Sequence, residues 1–501
     1  MYLPSSGSCS LQIPETMSEE TFPLLGGQQK PTTRWLSVYL LSLHTFFISL
    51  AFAMVNTPMS QLLEDNLCHR YVQGNSVKAE LCKNNHVQFE LATIMGYMPV
   101  MEAVVSLTTA FPFGVLADRI GRKPILYLAF AGSILSKGWK LFVLAFPSVL
   151  PVQYILAGPL FLVVGGGLAV QLAALNSIAS DLVSRSERAS AFFLLTFGIL
   201  SGSAVGPMAS SKLMSAYSPW TPIFLSLCMW PIGVFILIIV PETLPQAKQD
   251  PIAEIGRAAS VLKPHTLKSH LSQSIQLYKA SLASLRTPSI IIIIAANIID
   301  MPEDMATSGF FTQFISKRFN WTFADAGYLI AMRGIIQMAV LLVALPVLSQ
   351  LLLRWQQPNT RDLTLARFSA AIATAGALWM AALQVDVVIG GLAFQSLGAG
   401  MLPLCRSLAL SYVPVSETSR LNTLIGIVGT SGSMLGPVLT WLFELGQKRG
   451  GVLVGLPYFG LAGAFLLCFV GLLLVQAPVS REEADEVHSI RDIDDCRSVE
   501  C

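Results

Sequence analysis

Gly114-Val115-Leu116-Ala117-Asp118-Arg119-Ile120-Gly121-Arg122-Lys123-Pro124 places four charged residues between positions 118 and 123, and a long, mainly apolar run flanks it on either side, 92–113 and 124–146. An α-helix rises about 1.5 Å per residue and bilayer hydrocarbon is about 30 Å thick, so roughly 20 apolar residues make one crossing. The charged stretch therefore reads as a tight turn at a membrane surface, where one helix leaves the bilayer and the next enters it.

Working outward with the same window gives twelve crossings: 35–55, 92–113, 124–146, 153–180, 189–215, 219–240, 288–314, 323–350, 364–384, 387–413, 419–442 and 452–476. The composition agrees, since 53% of the 501 residues are hydrophobic and only 12% are charged, too apolar for a soluble chain of this length. A net charge of +2 without a basic block excludes a nucleic-acid partner. The first 30 residues are polar and contain acids and prolines, the wrong order for a cleavable signal peptide, so the N-terminal tail is expected in the cytosol.

Basic loops stay on the cytoplasmic side during insertion. Arg119, Arg122 and Lys123, then Arg185 and Arg188, then Lys248 through Arg286, then Arg354 and Arg361 fall on one face, which puts both termini inside. Lys317 and Arg318 run against this bias. Asn320-Trp321-Thr322 lies in the same outer loop and forms an acceptor site for N-glycosylation. Residues 241–287 are polar and basic and divide six helices (35–240) from six (288–477). Within them, 252–262 and 271–285 have the apolar spacing of surface-lying helices, or are plain solvated linker.

The two groups read as copies. Ser201-Gly202-Ser203 with Gly206-Pro207 recurs 230 residues later as Ser431-Gly432-Ser433 with Gly436-Pro437, and Glu187 recurs as Glu417 at the same offset. Gly96-Tyr97 with Met101-Glu102 recurs 231 residues later as Gly327-Tyr328 with Met332-Arg333. Such repeats are the usual origin of transporter bundles whose halves rock to alternate access.

The stretch from Gly114 to Pro124 resembles the signature of the major facilitator superfamily. That resemblance implies an all-α membrane fold of twelve helices in two pseudo-symmetric halves. It also assigns roles: Gly114 for close helix approach, Asp118 facing the positive end of helix eleven, and Arg122 paired with an acid ending helix four, for which Asp181 is the candidate. Arg119 and Gly121 belong to the same latch, which would hold the cytoplasmic side closed. Gly198, Gly202, Gly206 and Pro207 in helix five resemble the antiporter motif of drug and proton exchangers. Ser210-Ser211 stands where that motif has a glycine pair, and Phe193 stands at another glycine position. A small-residue packing seam is the other reading, with this copy and Gly432, Gly436 and Pro437 both lining the interface between halves. Helix four has Gly165-Gly166-Gly167 without the upstream arginine of many proton-coupled members. Pro241-Glu242-Thr243 ends helix six as in many members, and other marks of sugar porters are missing. Glu64-Asp65 to Cys68, Cys82-Lys83, Gln88 and Glu90-Leu91-Ala92 resemble fungal members, including those found with secondary-metabolite pathways, and more loosely folate and haem carriers.

Ionisable groups at mid-membrane depth cost about 3 kcal/mol on insertion scales, so each is a candidate for function. They are Glu102, Lys137, Asp300, Glu303, Asp304, Arg333 and Arg406, with His44 able to titrate near neutrality. Glu102 and Lys137 read as a structural ion pair or a proton-linked one. Asp300, Arg333 and Arg406 read as substrate or proton pathway, Glu303 and Asp304 as a wet outer mouth, and His44 as a packing residue. Of eight cysteines, Cys68 and Cys82 share the first outer loop, where a disulfide can form. Glu20 with Leu24-Leu25 resembles an acidic dileucine signal for vacuoles or lysosomes, against a plasma-membrane default, and the acidic tail from Arg481 reads as disordered.

No Gly-rich loop ending in Gly-Lys-Ser or Gly-Lys-Thr, no Ser/His/Asp set and no metal-ligand cluster is present in the sequence. The chain is therefore expected to be a monomeric secondary transporter in the lipid bilayer, without metal or cofactor and not an enzyme, that exports a small organic solute in exchange for protons. Uptake of a nutrient or carboxylated cofactor by proton symport and a transporter-derived sensor are the alternatives.

Overall fold

The computed structural model describes residues 31–71, 82–183, 188–241, 287–413 and 418–477. These residues form α1 (Pro31–Tyr71), α2 (Asn85–Ile120), α3 (Arg122–Ala145), α4 (Val152–Leu182), α5 (Arg188–Ala216) and α6 (Trp220–Ile239). The second set is α7 (288–319), α8 (Phe323–Leu352), α9 (Pro358–Met380), α10 (Val385–Ser411), α11 (418–449) and α12 (Gly451–Leu474). No strand occurs among the described residues. The linker expected at 241–287, both tails and the dileucine segment lie almost wholly outside them.

Eleven of these helices are each long and apolar enough to cross a membrane. The other, α7, is broken into Pro288–Ala296, a 3-10 turn at Asn297–Ile299, Asp300–Asp304, a π turn at Met305–Gly309 and Phe310–Phe319. Pro302 removes a backbone donor and crowds the preceding turn, while Asn297 Nδ2 donates to the carbonyl of Ile293 at 3.0 Å. Irregular backbone at membrane depth survives where protein covers it, and turns of this kind often mark functional sites. Helix α4 is broken too. Gly165, Gly166 and Gly167 all have positive φ, which side-chain-bearing residues rarely adopt. Helix α1 continues past the expected end at 55, because Leu62, Leu63 and Leu67 keep the helical spacing and are buried.

Gly121 explains one position of the opening stretch. Its φ of 109° breaks the chain between α2 and α3 and its N–H caps the carbonyl of Ala117. Gly114 differs from expectation, since a Cβ added there would meet nothing within 4 Å.

The halves meet along two related seams. On α2 and α11, a Cβ on Gly96 would lie 2.1 Å from Thr440 Oγ1, and the Thr440 hydroxyl donates to the carbonyl of Ala92 at 3.1 Å. On α5 and α8, a Cβ on Gly327 would lie 2.1 Å from Ser211 Oγ, and Gly334 abuts Ala204. The repeated glycines thus sit at equivalent places in the two copies. The glycines of α5 do not line the interface as expected. Gly198, Gly202 and Gly206 face the α1 backbone at Ser42, Phe46 and Leu50, within their own half. Gly432 likewise faces Ile298 on α7, and only Gly436 of that set reaches across, to the carbonyl of Gly96. Pro207 and Pro437 lie one residue after the last glycine of each copy.

Candidate functional site

Each half carries an ionic centre at membrane depth, anchored on equivalent helices. On α2, Glu102 pairs with Lys140 Nζ of α3 at 2.6 Å. The expected partner was Lys137, one turn earlier on α3. Its Nζ instead lies 4.3 Å from the centre of the Phe52 ring and 5.5 Å from that of Trp230. Lys140 faces the same way as Lys137 at helical spacing, so sequence alone cannot rank them.

On α8, Arg333 stands at the position equivalent to Glu102 and carries the opposite charge. It lies 3.7 Å from Glu303 and 3.5 Å from Asp304 of α7, with Ser308 Oγ at 3.3 Å. Glu303 also accepts from Gln395 Nε2 of α10 at 2.8 Å. With 13% of its side chain exposed, Glu303 belongs to the buried centre, whereas Asp304 at 66% does sit at a wet edge. Asp300 is within electrostatic reach of Arg333 and Arg406, and Arg406 Nε donates to Asn422 of α11 at 2.9 Å. Buried guanidinium and carboxylate groups persist only when paired and hydrogen-bonded, which the π turn of α7 permits by bringing Glu303 and Ser308 to Arg333. His44 is fully buried, its Nδ1 2.8 Å from the Gly233 carbonyl and its ring edge-on to Phe130, as a packing residue would be.

A second constellation closes the face that the basic loops assign to the outside. Cys68 and Cys82 are disulfide-bonded and tie the outer end of α1 to the residues leading into α2. Gln88 donates to Glu64 and, at 3.3 Å, to the Cys82 carbonyl. From the other half, Gln313 Nε2 donates to the Gln88 carbonyl at 2.6 Å and to its side-chain oxygen at 2.9 Å. Lys83 Nζ donates to the Ser316 carbonyl at 2.6 Å and Lys317 Nζ to Asn85 Oδ1 at 2.6 Å. Burial lowers the Lys83 amine from the ordinary lysine range, opposed by the Glu64 carboxylate. The two lysine contacts explain why cations were kept on a face the charge bias would leave empty. The Asn320 sequon is built into this junction: Asn320 ends α7 in a left-handed conformation (φ 56°), and the Thr322 hydroxyl caps α8 by accepting from Asp325 N at 3.1 Å.

Contact between α2 and α11 is heavier on the outer part of α11, Gly436–Arg449, than on its inner part, Thr418–Ser431. Among the described residues, the inner parts of α4 and α10, Gly167–Leu182 and Met401–Ser411, make at most sparse contact across the halves. On that inner face Arg122 forms an ion pair with Asp181, joining α3 to α4 within one half. The side chains of Asp118 and Arg119 lie outside the described residues.

The family model of the Major Facilitator Superfamily matches residues 41–437, most of the chain and both halves. The chain belongs to the Major Facilitator Superfamily. It is a multi-pass membrane transporter, not an enzyme. It is 29% identical over 459 residues to the MFS efflux pump atnC of Emericella nidulans, covering 87% of each chain. It is 24% identical to the efflux pump ustT of Aspergillus flavus, covering 81% of this chain and 82% of that one. Among solved structures, the human organic anion transporter MFSD10 (TETRAN) aligns with a TM-score of 0.55 at 18% identity, over 89% of this chain and 100% of that one. A D-xylose-proton symporter aligns with a TM-score of 0.60 at 15% identity, over 89% and 98%. These identities carry the fold.

Within the superfamily frame, sequence reasoning missed Lys140, Gln395 and Gln313. Lys140 had the signal of a charge within a span. The two glutamines had only their polarity at membrane depth, which weak hydropathy penalties pass over.

Proposed function

We propose that this transporter exports a small, amphipathic organic compound from the cytosol by alternating access, in exchange for protons. The observation that carries the reading is the asymmetry of the seam between halves: joined at the outer face by Gln88–Gln313, Lys83–Ser316 and Lys317–Asn85, sparse at the inner face. That is the arrangement of a carrier waiting to load from the cytosol. The names of relatives such as atnC and ustT, both efflux pumps, support the outward direction. The ionic centres on α2–α3 and α7–α8 flank the path between the halves and supply Glu102, Asp300, Arg333 and Arg406 as the groups that meet solute and protons. Gly114, Asp118, Arg119, Gly121, Arg122 and Asp181 form the cytoplasmic latch, closing only after loading. The plasma membrane is the proposed location and the monomer the working unit, with Asn320 as the acceptor of N-glycan.

Comparative metabolite profiling of cells and medium, with and without the gene, tests direction and solute together. A compound that leaves the cells only when the transporter is present, and stays when Asp118→Asn replaces it at normal membrane abundance, is the expected result. Accumulation in right-side-out vesicles driven by an inward proton gradient would overturn export in favour of uptake.

A further inference from the structure

The charged groups at membrane depth are not balanced in the first half. It sets one carboxylate, Glu102, against two ammonium groups, Lys137 and Lys140, leaving one positive charge in excess. In the second half Asp300 and Glu303 stand against Arg333 and Arg406, and the further carboxylate, Asp304, lies at the wet edge. A lone charge in this setting is costly unless a counter-charge arrives or the group gives up its proton.

The excess cation has an address. Lys140 holds Glu102 and is almost buried. Lys137 stands eight residues from the outer end of the 24-residue α3, about 12 Å deep. Among the described residues it makes no salt bridge or hydrogen bond, and the one carboxylate within its electrostatic reach, Glu102, is already paired with Lys140. It rests on two aromatic faces, Phe52 of α1 and Trp230 of α6, at 4.3 and 5.5 Å. Trp230 adds a second unanswered donor, because its buried Nε1–H has no acceptor either. Phe52 is 44% exposed and offers a free aromatic surface beside them. An ammonium and an indole N–H without acceptors, next to an open ring, lack one kind of partner: an acceptor with negative charge on an aromatic body.

We infer that Lys137, Phe52 and Trp230 form a subsite for an organic anion, an aromatic carboxylate or sulfonate, whose charge the Lys137 ammonium neutralises during transport. The inference rests on the transport reading and narrows its solute class. The charge on Lys140 is already spent on Glu102, so Lys137 alone determines whether the anion is accepted. A neutral amide of equal shape can accept a hydrogen bond but leaves the Lys137 charge uncompensated, and a cationic amine supplies neither acceptor nor counter-charge, so both bind less well than the anion.

The test uses purified full-length protein in detergent, with binding read as a shift in melting temperature. The probes are 1-naphthoate, 1-naphthalenesulfonate, 1-naphthamide and 1-naphthylmethylamine. The anions are expected to stabilise wild type more than the amide or the amine. K137Q should weaken 1-naphthoate binding at least roughly thirtyfold, the effect of removing one partner of a desolvated charge pair, while K137R retains most of it. If K137Q fails to fold, F52A and W230F take its place, each expected to weaken the anion selectively. Equal stabilisation by the amide, undiminished binding to K137Q, or no response of wild type to either anion would overturn the subsite. Because detergent binding involves no flux, an intact subsite in a protein that moves nothing across vesicles would sink the transport reading instead.

Discussion

Replacing Gly96 with valine should push the protein out of its outer-closed state, and the geometry sets the size of the effect. A Cβ at this position would lie 2.1 Å from Thr440 Oγ1 and 3.2 Å from the Gly436 carbonyl oxygen, where an ordinary contact needs about 3.5 Å. Rotating the Thr440 hydroxyl aside relieves part of the clash but breaks its bond to the Ala92 carbonyl, worth about 1 kcal/mol. The two further methyls of valine add overpacking of about 1–3 kcal/mol. The cost falls on the closed seam alone, since parting α2 from α11 removes it. A bias of about 2–4 kcal/mol shifts the equilibrium toward outer opening by roughly thirty- to several-hundredfold. The reporter is a cysteine at Met305, which is 8% exposed and whose Cε would meet a Cβ on Gly436 at 2.7 Å, in a background that keeps Cys68 and Cys82 and lacks the other thiols. Its labelling rate with a membrane-impermeant maleimide should rise accordingly, and Gly327→Val, at the equivalent position of the other seam, should act the same way. An unchanged rate in a variant that melts like wild type would refute the reasoning.

Glu102→Gln and Lys140→Gln should each lower the melting temperature by leaving a desolvated charge alone, about 1–3 kcal/mol given that Glu102 is partly exposed; the double variant should recover part of the loss, and strictly additive losses would dismiss the pair. The lowered Lys83 amine fixes a pH dependence. Its proton leaves the native protein at lower pH than the unfolded chain, where lysine holds it to about 10.4, so between those values the unfolded state binds more protons and native stability rises with pH. The difference in melting temperature between wild type and Lys83→Gln should therefore move in favour of wild type across the alkaline range, and a flat difference would contradict the assignment.

What the sequence made legible was whatever repeats or announces itself locally. Twelve apolar runs of crossing length, the copied Gly96 and Gly327 positions and the paired cysteines of one loop follow from spacing, and Arg122 facing Asp181 from the resemblance of the Gly114–Pro124 stretch to the superfamily signature. The outer closure is another matter. Gln88 and Gln313 are 225 residues apart, and nothing near either announces the other; Lys317 only registered as a cation on the wrong side. The glycines of α5 left two readings open, an antiporter motif and a packing seam between the halves; a stripe does not say which helix it meets, and α1 rather than the opposite half fills it. The choice of Lys140 over Lys137 for Glu102 depends on distances within one turn, below what periodicity resolves. The breaks in α7 had cues in Asn297 and Pro302, yet their consequence, a π turn that carries Glu303 and Ser308 to Arg333, depends on the surrounding helices.

The central claim, that the two halves part and rejoin at the outer face in every cycle, is tested most directly by tying that face shut. Cysteines replacing Asn85 and Lys317, whose side chains now meet tip to tip at 2.6 Å, should be bridged across the seam by a bifunctional methanethiosulfonate long enough to replace the lysine's reach. Efflux of the profiled metabolite should stop on cross-linking and return on reduction to the level of the same variant never cross-linked. Full efflux with the cross-link quantitatively formed would contradict the account.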